Sequence, residues 1–219
     1  MTALCEVDER TADERVARAE LFELLAHSFA YPDEELAQAL SDGSYAQAAR
    51  QVCAETDAAG ACAGDIDRID QAYRGVDAQH LLHALRAEYT RIYIGTTSAA
   101  VSPYGSWWKA VQAGKEPVLF LSKETRAVEK AMHDAGVGNR PGNKEPLDHI
   151  ACELDFARYL SFVLAGAAPA RADVAIDERT LESFLDEHLR PWAPDFARKT
   201  AETTTSPLYR FVASLLETL

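Results

Sequence analysis

The residues best able to bind a metal or transfer a proton cluster in one segment, EPLDHIACELDF, at positions 145–156. Pro146 suits the first turn of a helix, so we predict that a long amphipathic helix begins there. On this helix His149 and Glu153 would be four residues apart, and His149 and Cys152 three apart, which places their side chains together. Two metal ligands fit this spacing, but the sequence offers no evident third or fourth. We therefore expect neither a metal site nor another cofactor.

The sequence leaves two roles open for Asp148 and His149. In the first, Asp148 caps the unpaired N–H groups of the first helical turn, and His149 forms hydrogen bonds within the core. In the second, the pair anchors a polar interaction at the mouth of a groove. An enzymatic alternative is a small metal-dependent hydrolase that uses Asp148, His149 and Glu153. The chain lacks the GxGxxG, Walker A, GxSxG and HExxH signatures, so we expect no catalytic residues.

Aromatic residues dominate a second segment, SPYGSWW, at positions 102–108. We predict that this segment is the C-terminal part of a loop over residues 96–108. Tyrosine and tryptophan combine a large apolar area with a polar tip and are common where proteins bind other chains. Tyr104, Trp107 and Trp108 are therefore candidate binding residues, although they could instead close the core beneath a long loop.

A third segment, FLDEHLRPWAPDF, occupies positions 184–196. His188, Trp192 and Pro194 resemble the end of a helix folded back on the body of the protein. We predict that this segment packs the core and does not bind a ligand.

Helical periodicity surrounds all three segments and indicates an all-α fold of about nine or ten helices. Predicted helix starts are a Thr11–Glu14 capping box, Asp33, Ser44, Asp77, Leu121, Pro146, Asp177 and Ser206, and predicted ends include Gly95 and Gly136. The glycines at 60–64 suggest a connection. We expect one helical domain over residues 1–219, with a candidate hinge between two lobes at 136–145.

Composition limits the classes of partner. The 219 residues carry a net charge of −13, which disfavours nucleic acid and anionic membranes. The four cysteines lack CxxC spacing, and no signal peptide or membrane-spanning run is apparent, so we expect a reduced, cytoplasmic protein without stable membrane insertion. The candidate hinge favours a monomer that forms a minor domain-swapped dimer.

Taken in order, EYTRIYIG, SPYGSWW, EPLDHIACELDF and FLDEHLRPWAPDF resemble the TorD/DmsD/NarJ family of redox-enzyme maturation chaperones. The most specific elements are E-P-x-D-H at 145–149 and H-L-x-x-W-x-P-x-F at 188–196. One departure is Gly105, where members usually carry an acidic residue.

The resemblance implies an all-helical chaperone. Such a protein binds the twin-arginine signal peptide and the apo form of a molybdopterin oxidoreductase of the dimethyl sulfoxide reductase type. It assists cofactor insertion and delays export until the client has folded. The implied signal-peptide site comprises Pro146, Asp148 and His149, with Tyr104, Trp107 and Trp108 beside them.

Overall fold

A computed structural model describes residues 2–56, 59–95, 98–117, 122–138 and 145–219, without the side chains of residues 2–11 and 59–62. These residues form α-helices and two π-helical segments and contain no strand, which confirms the all-α prediction. The helices are α1 (Thr2–Phe29), α2 (Glu34–Asp42), α3 (Ser44–Glu55), α4 (Ala59–Tyr73), α5 (Ala78–Tyr89), α6 (Gly105–Gln112), α7 (Lys123–Asp134), α8 (Ile150–Leu164), α9 (Glu178–Phe184), α10 (Ala193–Thr203) and α11 (Pro207–Leu216). The π-helical segments, Thr90–Ile94 and Leu185–Leu189, directly continue α5 and α9.

The chain divides into two compact units. The first unit comprises Met1–Glu23 and Tyr104–Trp192, and the second comprises Leu24–Pro103 and Ala193–Leu219. No boundary between the units falls within the predicted hinge at 136–145. Residues 139–144 of that hinge lie outside the described part of the chain, as does the apolar run at 118–121. The hinge therefore stays a prediction.

Aromatic side chains form much of the core of the second unit. The ring of Tyr93 lies 6.4 Å from that of Phe29, 5.7 Å from that of Phe196 and 5.6 Å from that of Tyr209. All four side chains are buried. The contacts with Phe29 and Tyr209 are edge to face and the contact with Phe196 is stacked, and both arrangements add to the free energy gained by burying the rings.

The first unit contains every candidate site residue and is built on α6, α7, α8 and α9. The start of α9 is fixed by a capping box in which Asp177 and Thr180 each pair with the backbone of the other. Glu178 in the first turn accepts hydrogen bonds from Arg15 and Arg18, which connects α1 to α9. Arg15 also donates to the main-chain oxygen of Leu164 at 3.2 Å, so α1 contacts both the start of α9 and the end of α8.

Several helix boundaries match the sequence prediction because they depend on local chemistry. Asp33, Asp77 and Asp177 are N-caps whose carboxylates accept backbone N–H groups, and Ser206 precedes Pro207 at the start of α11. Gly95 and Gly136 follow helices with φ of 67° and 77°. Only glycine adopts such angles without strain, which explains both helix ends.

Two boundaries in the N-terminal half differ from the prediction. Helix α1 begins at Thr2, so Thr11 and Glu14 lie inside it and do not form a capping box at its start. Residues 60–64, predicted as a connection, belong to α4. A glycine inside a helix costs only about 1 kcal/mol relative to alanine, and the packing of α4 against α3 and α11 offsets that cost.

Two further corrections change the geometry of the candidate site. The predicted loop at 96–108 ends early, because α6 begins at Gly105 and carries both tryptophans. Helix α8 begins at Ile150 and not at Pro146, because residues 146–149 form a turn in which His149 N–H donates to Pro146 O at 3.0 Å. Asp148 therefore lies in this turn and not in the first turn of α8.

None of the helices in the described ranges is both long and apolar enough to cross a lipid bilayer.

Candidate functional site

Asp148 anchors the N-terminus of α6 from a distant part of the chain. Its main-chain oxygen accepts the Gly105 N–H at 2.9 Å, and its Oδ2 accepts the Ser106 N–H at 3.0 Å. The N-cap residue of α6, Tyr104, makes no side-chain cap hydrogen bond. The carboxylate therefore supplies the cap that the local sequence lacks, and its negative charge suits the positive end of the helix dipole.

The same carboxylate also holds the start of α7. Its Oδ1 accepts a hydrogen bond from the Thr125 hydroxyl at 2.8 Å, and Thr125 lies in the first turn of α7. Asp148 is only 1% exposed. Because both oxygens accept hydrogen bonds within the protein, Asp148 fixes the relative positions of α6 and α7.

His149 caps α8. Its Nδ1 accepts the Ala151 N–H at 3.1 Å, so the neutral ring carries its proton on Nε2. His149 is 3% exposed, and this burial lowers its pKa to about 4. The negative charges of Glu145 and Asp148 favour the protonated form, but their effect on the pKa is smaller than that of burial. His149 is therefore neutral at pH 7, as its capping role requires.

Tyr104 joins the two segments at the surface. It pairs with His149 in an isolated antiparallel backbone bridge, and the two rings lie edge to face with centroids 5.4 Å apart. The Tyr104 hydroxyl donates to Glu145 Oε2 at 3.0 Å. Burial and the Glu145 carboxylate raise the pKa of the phenol, so it stays protonated and remains a donor.

A buried carboxylic acid lies behind α6. Glu153 Oε2 accepts the indole N–H of Trp192 at 3.2 Å, and both side chains are buried. Burial raises the pKa of Glu153 well above its usual value, although the positive charge of Lys109 opposes this shift. The neutral acid and the indole thus form a hydrogen-bonded contact against which α6 packs.

Gly105 is required where α6 meets this contact. A Cβ at position 105 would lie 2.8 Å from Trp192 Nε1 and 3.2 Å from Glu153 Oε1. Trp192 and Glu153 are almost fully buried, so a side chain at position 105 would have to displace closely packed groups. This packing accounts for a glycine at position 105, where the resemblance led us to expect an acidic residue.

Trp107 and Trp108 form the accessible aromatic part of the site. Both are half-buried in α6, and their ring centroids are 4.9 Å apart in an edge-to-face arrangement. Val111, one turn further along, is 45% exposed. These side chains give α6 an apolar surface that a partner can cover.

The six predicted site residues thus divide into two groups. Asp148 and His149 are buried and hold helix ends, whereas Tyr104, Trp107, Trp108 and Pro146 are partly exposed. Sequence reasoning missed Thr125 as a partner of Asp148, because no local motif connects residues so far apart. It also assigned Trp192 to packing without identifying its contact with Glu153.

The arrangement around Asp148, His149 and Glu153 differs from a metal centre. Among the described residues, three potential metal-binding atoms lie within 4.8 Å of one another in one place, at His27, Asp33 and Glu35. In that group His27 is half-buried, and Asp33 and Glu35 are exposed. His27 Nε2 lies 3.3 Å from Asp33 Oδ1, and Asp33 caps α2. In contrast, Asp148, His149 and Glu153 accept hydrogen bonds from Ser106, Ala151 and Trp192.

Comparison with protein families matches residues 47–198 to the family described as nitrate reductase delta subunit. The match covers more than half of the chain. The chain belongs to this family. The match confirms the resemblance to TorD/DmsD/NarJ proteins that the sequence motifs indicated.

Proteins with sequences similar to this chain include chaperones named TorD. The chain is 29% identical over 134 residues to the chaperone protein TorD of Vibrio parahaemolyticus, covering 60% of this chain and 59% of that protein. It is 26% identical over 133 residues to the chaperone protein TorD of Escherichia coli, covering 60% and 58%. The chain therefore spans about three fifths of the length of these curated relatives.

The fold is also found in a solved structure. A redox enzyme maturation protein from Archaeoglobus fulgidus matches with a TM-score of 0.55 and 21% sequence identity, and the match covers 91% of each chain. At this level of identity the likeness shows a shared fold.

Proposed function

We propose that the protein is a cytoplasmic maturation chaperone for a molybdopterin oxidoreductase of the dimethyl sulfoxide reductase type. It binds the client's twin-arginine signal peptide and its apo form, assists cofactor insertion and delays export until the client has folded. The proposal is supported chiefly by the half-buried pair Trp107 and Trp108 on α6, a helix whose N-terminus is fixed by Asp148. Membership in the delta-subunit family and the TorD relatives favour the same role.

The chemistry of a twin-arginine signal peptide complements this surface. Such a peptide has a basic segment followed by an apolar one, so its receptor needs acidic groups beside an aromatic surface. The tryptophan pair and Val111 supply apolar area, while Glu145 is exposed beside Tyr104. The net charge of −13 would attract the basic segment over a longer range.

The six predicted residues have different tasks in this proposal. Tyr104, Trp107, Trp108 and Pro146 contact the peptide, because part of each side chain is accessible. Asp148 and His149 are positioning residues, since their polar atoms hold α6, α7 and α8 in place. No catalytic residue is assigned.

Calorimetric titration tests this function. The probe is a synthetic peptide with two consecutive arginines followed by the apolar stretch of a molybdopterin oxidoreductase signal peptide from the same organism. We expect binding that weakens modestly as salt rises, because salt screens the ionic part and leaves the apolar part. Trp107→Ala and Trp108→Ala should each weaken binding about tenfold, the range of an aromatic binding hot spot.

Tyr31→Ala is the matched control, since Tyr31 is an exposed aromatic residue of the second unit. It should bind the peptide as the wild-type protein does. Absence of binding at low and at moderate ionic strength would contradict the proposed function.

A further inference from the structure

The first unit contains a cavity that the proposed aromatic surface does not use. It has a volume of about 300 Å³ and lies between α7, α8, residues 174–175 and the helical stretch from α9 through Leu185–Leu189. Its apolar lining includes the buried rings of Phe156 and Phe184, whose centroids are 4.7 Å apart. A volume of this size suits one long side chain or a small molecule.

His188 lines this cavity with a buried, neutral ring. The residue is 6% exposed, and its Nδ1 has no hydrogen-bond partner in the described structure. Burial, reinforced by the positive charge of Lys109, lowers the pKa of His188, so the ring is neutral at pH 7. The Nδ1 atom is enclosed by protein, so His188 contributes a neutral aromatic ring to the wall of the cavity.

The charges at this cavity are negative. Asp134 and Glu187 contribute carboxylates, and the lining residues among the described ones include no lysine or arginine. Asp134 already pairs with Lys130, so Glu187 is the better placed of the two to meet a new cation. Lys109 directs its ammonium to the main-chain oxygen of Glu187, at 2.8 Å.

We propose that the cavity receives the guanidinium group of an arginine from the client's signal peptide. A guanidinium is planar, stacks on aromatic rings and carries five N–H donors, so it can meet the phenylalanine rings and the Glu187 carboxylate together. It can also stack against the neutral ring of His188, whose centroid lies 5.1 Å from that of Phe184. This inference rests on the proposed function and identifies where the basic part of the peptide binds.

The cavity is connected to α6 through the segment that lines it. Besides the contact of Lys109, Gln112 Nε2 donates to Pro191 O at 2.9 Å, so α6 is hydrogen-bonded at two points to the π-helical segment and the turn after it. A peptide lying on the tryptophan surface of α6 is therefore beside the segment that carries Glu187 and His188.

The test compares two synthetic signal peptides in calorimetric titrations. One carries the two arginines, and in the other both are replaced by citrulline, which has nearly the same shape without the charge. We expect the citrulline peptide to bind the wild-type protein at least tenfold more weakly. Glu187→Gln should weaken binding of the arginine peptide about threefold, because the contact is partly solvated, and should not affect the citrulline peptide.

Two matched controls separate the cavity from general effects. Ala175→Phe, which places a ring at the cavity, should weaken the arginine peptide at least tenfold, whereas Ala172→Phe in the same exposed segment should not. Glu129→Gln removes the same charge from an exposed position of α7 outside the cavity and should leave the affinity unchanged.

The results distinguish failure of this inference from failure of the proposed function. Equal affinities of the two peptides, or an Ala175→Phe variant that binds like the wild type, would overturn the inference while the chaperone role stands. If neither peptide binds, the proposed function fails, and an NMR titration with N-acetyl-arginine amide decides the inference. Shifts of the His188 ring signals that N-acetyl-citrulline amide does not produce would support it, and their absence would overturn it.

Discussion

The Oδ2 atom of Asp148 accepts the backbone N–H of Ser106 at 3.0 Å, across 42 positions of the chain. The residue that caps α6 is therefore located in the turn before α8. Through this contact, the EPLDH segment at 145–149 fixes the N-terminus of the helix that carries Trp107 and Trp108. The buried carboxylate therefore positions the tryptophan surface without being part of it.

The contacts of Asp148 predict that its substitution lowers the stability of the fold more than it lowers the affinity for the signal peptide. Asp148→Ala removes the acceptor of both Ser106 N–H and the Thr125 hydroxyl and should lower the free energy of unfolding by about 2–4 kcal/mol. Asp148→Asn keeps one acceptor and should cost about 1–2 kcal/mol, with affinity for the signal peptide within about threefold of wild type. Urea unfolding and peptide titration measure the two effects.

Thr125→Val is the control for Asp148, since it removes one hydrogen bond and leaves the carboxylate charge in place. It should destabilise the fold about as much as Asp148→Asn. A tenfold or larger loss of affinity in Asp148→Asn, with unchanged stability, would instead show that the carboxylate contacts the peptide directly.

His149 predicts a loss of stability in acid. Its pKa is about 4 in the folded protein and near 6.5 when unfolded, so the unfolded chain binds the extra proton between these values. The contribution of His149 is therefore present above about pH 6.5 and disappears as the pH falls to 4, a change of about 3 kcal/mol. Unfolding free energies measured from pH 4 to pH 8 should show this slope.

His149→Asn tests the assignment, because asparagine is a good N-cap and does not titrate in this range. The variant should fold and should have a smaller loss of stability between pH 6.5 and 4 than the wild type. An unchanged pH dependence would mean that another group causes it.

Glu153 predicts the opposite pH dependence. Its pKa is raised in the folded state, so its stabilising effect is complete below the unfolded value and decreases as the pH rises through the folded value. Glu153→Gln keeps an oxygen that can accept the Trp192 indole N–H and removes the ionisation. Melting temperatures at pH 5 and pH 8.5 should show a gain for the variant that is larger at pH 8.5, and a uniform loss would refute the neutral acid.

The close packing around Gly105 predicts that any side chain at this position destabilises the fold. Gly105→Ala adds a methyl group 2.8 Å from Trp192 Nε1 and should destabilise the protein by about 1–3 kcal/mol, as overpacking does elsewhere. Gly64→Ala is the control, because a Cβ there has no neighbour within 4 Å and the position lies in α4. It should leave stability unchanged or increase it slightly, and similar melting of both variants would contradict the close packing at Gly105.

The sequence predicts those parts of the fold that depend on neighbouring residues. Asp177 and Thr180 cap α9 at a spacing of three, and Gly95 and Gly136 end helices through their own φ angles, so each is visible in a short window. Helix α6 is different. Its N-cap is Tyr104 and its first residue is Gly105, and neither indicates a helix start.

The candidate site shows the same distinction. Motif resemblance identified Tyr104, Asp148 and His149, and the structure brings these three together. Their tasks could not be assigned from sequence, because capping α6 and burying His149 depend on contacts between distant segments. For the same reason, the cavity beside His188 has no signature in the sequence.

Binding of a client with and without its signal peptide tests the central claim most directly. The apo form of a molybdopterin oxidoreductase from the same organism is purified as the full precursor and as a version that lacks the twin-arginine segment, and the dissociation constant of each is measured. The account predicts that the precursor binds and that removing the signal peptide weakens binding at least tenfold. Equal affinity for the two forms would contradict signal-peptide recognition and would instead indicate a partner of the mature enzyme.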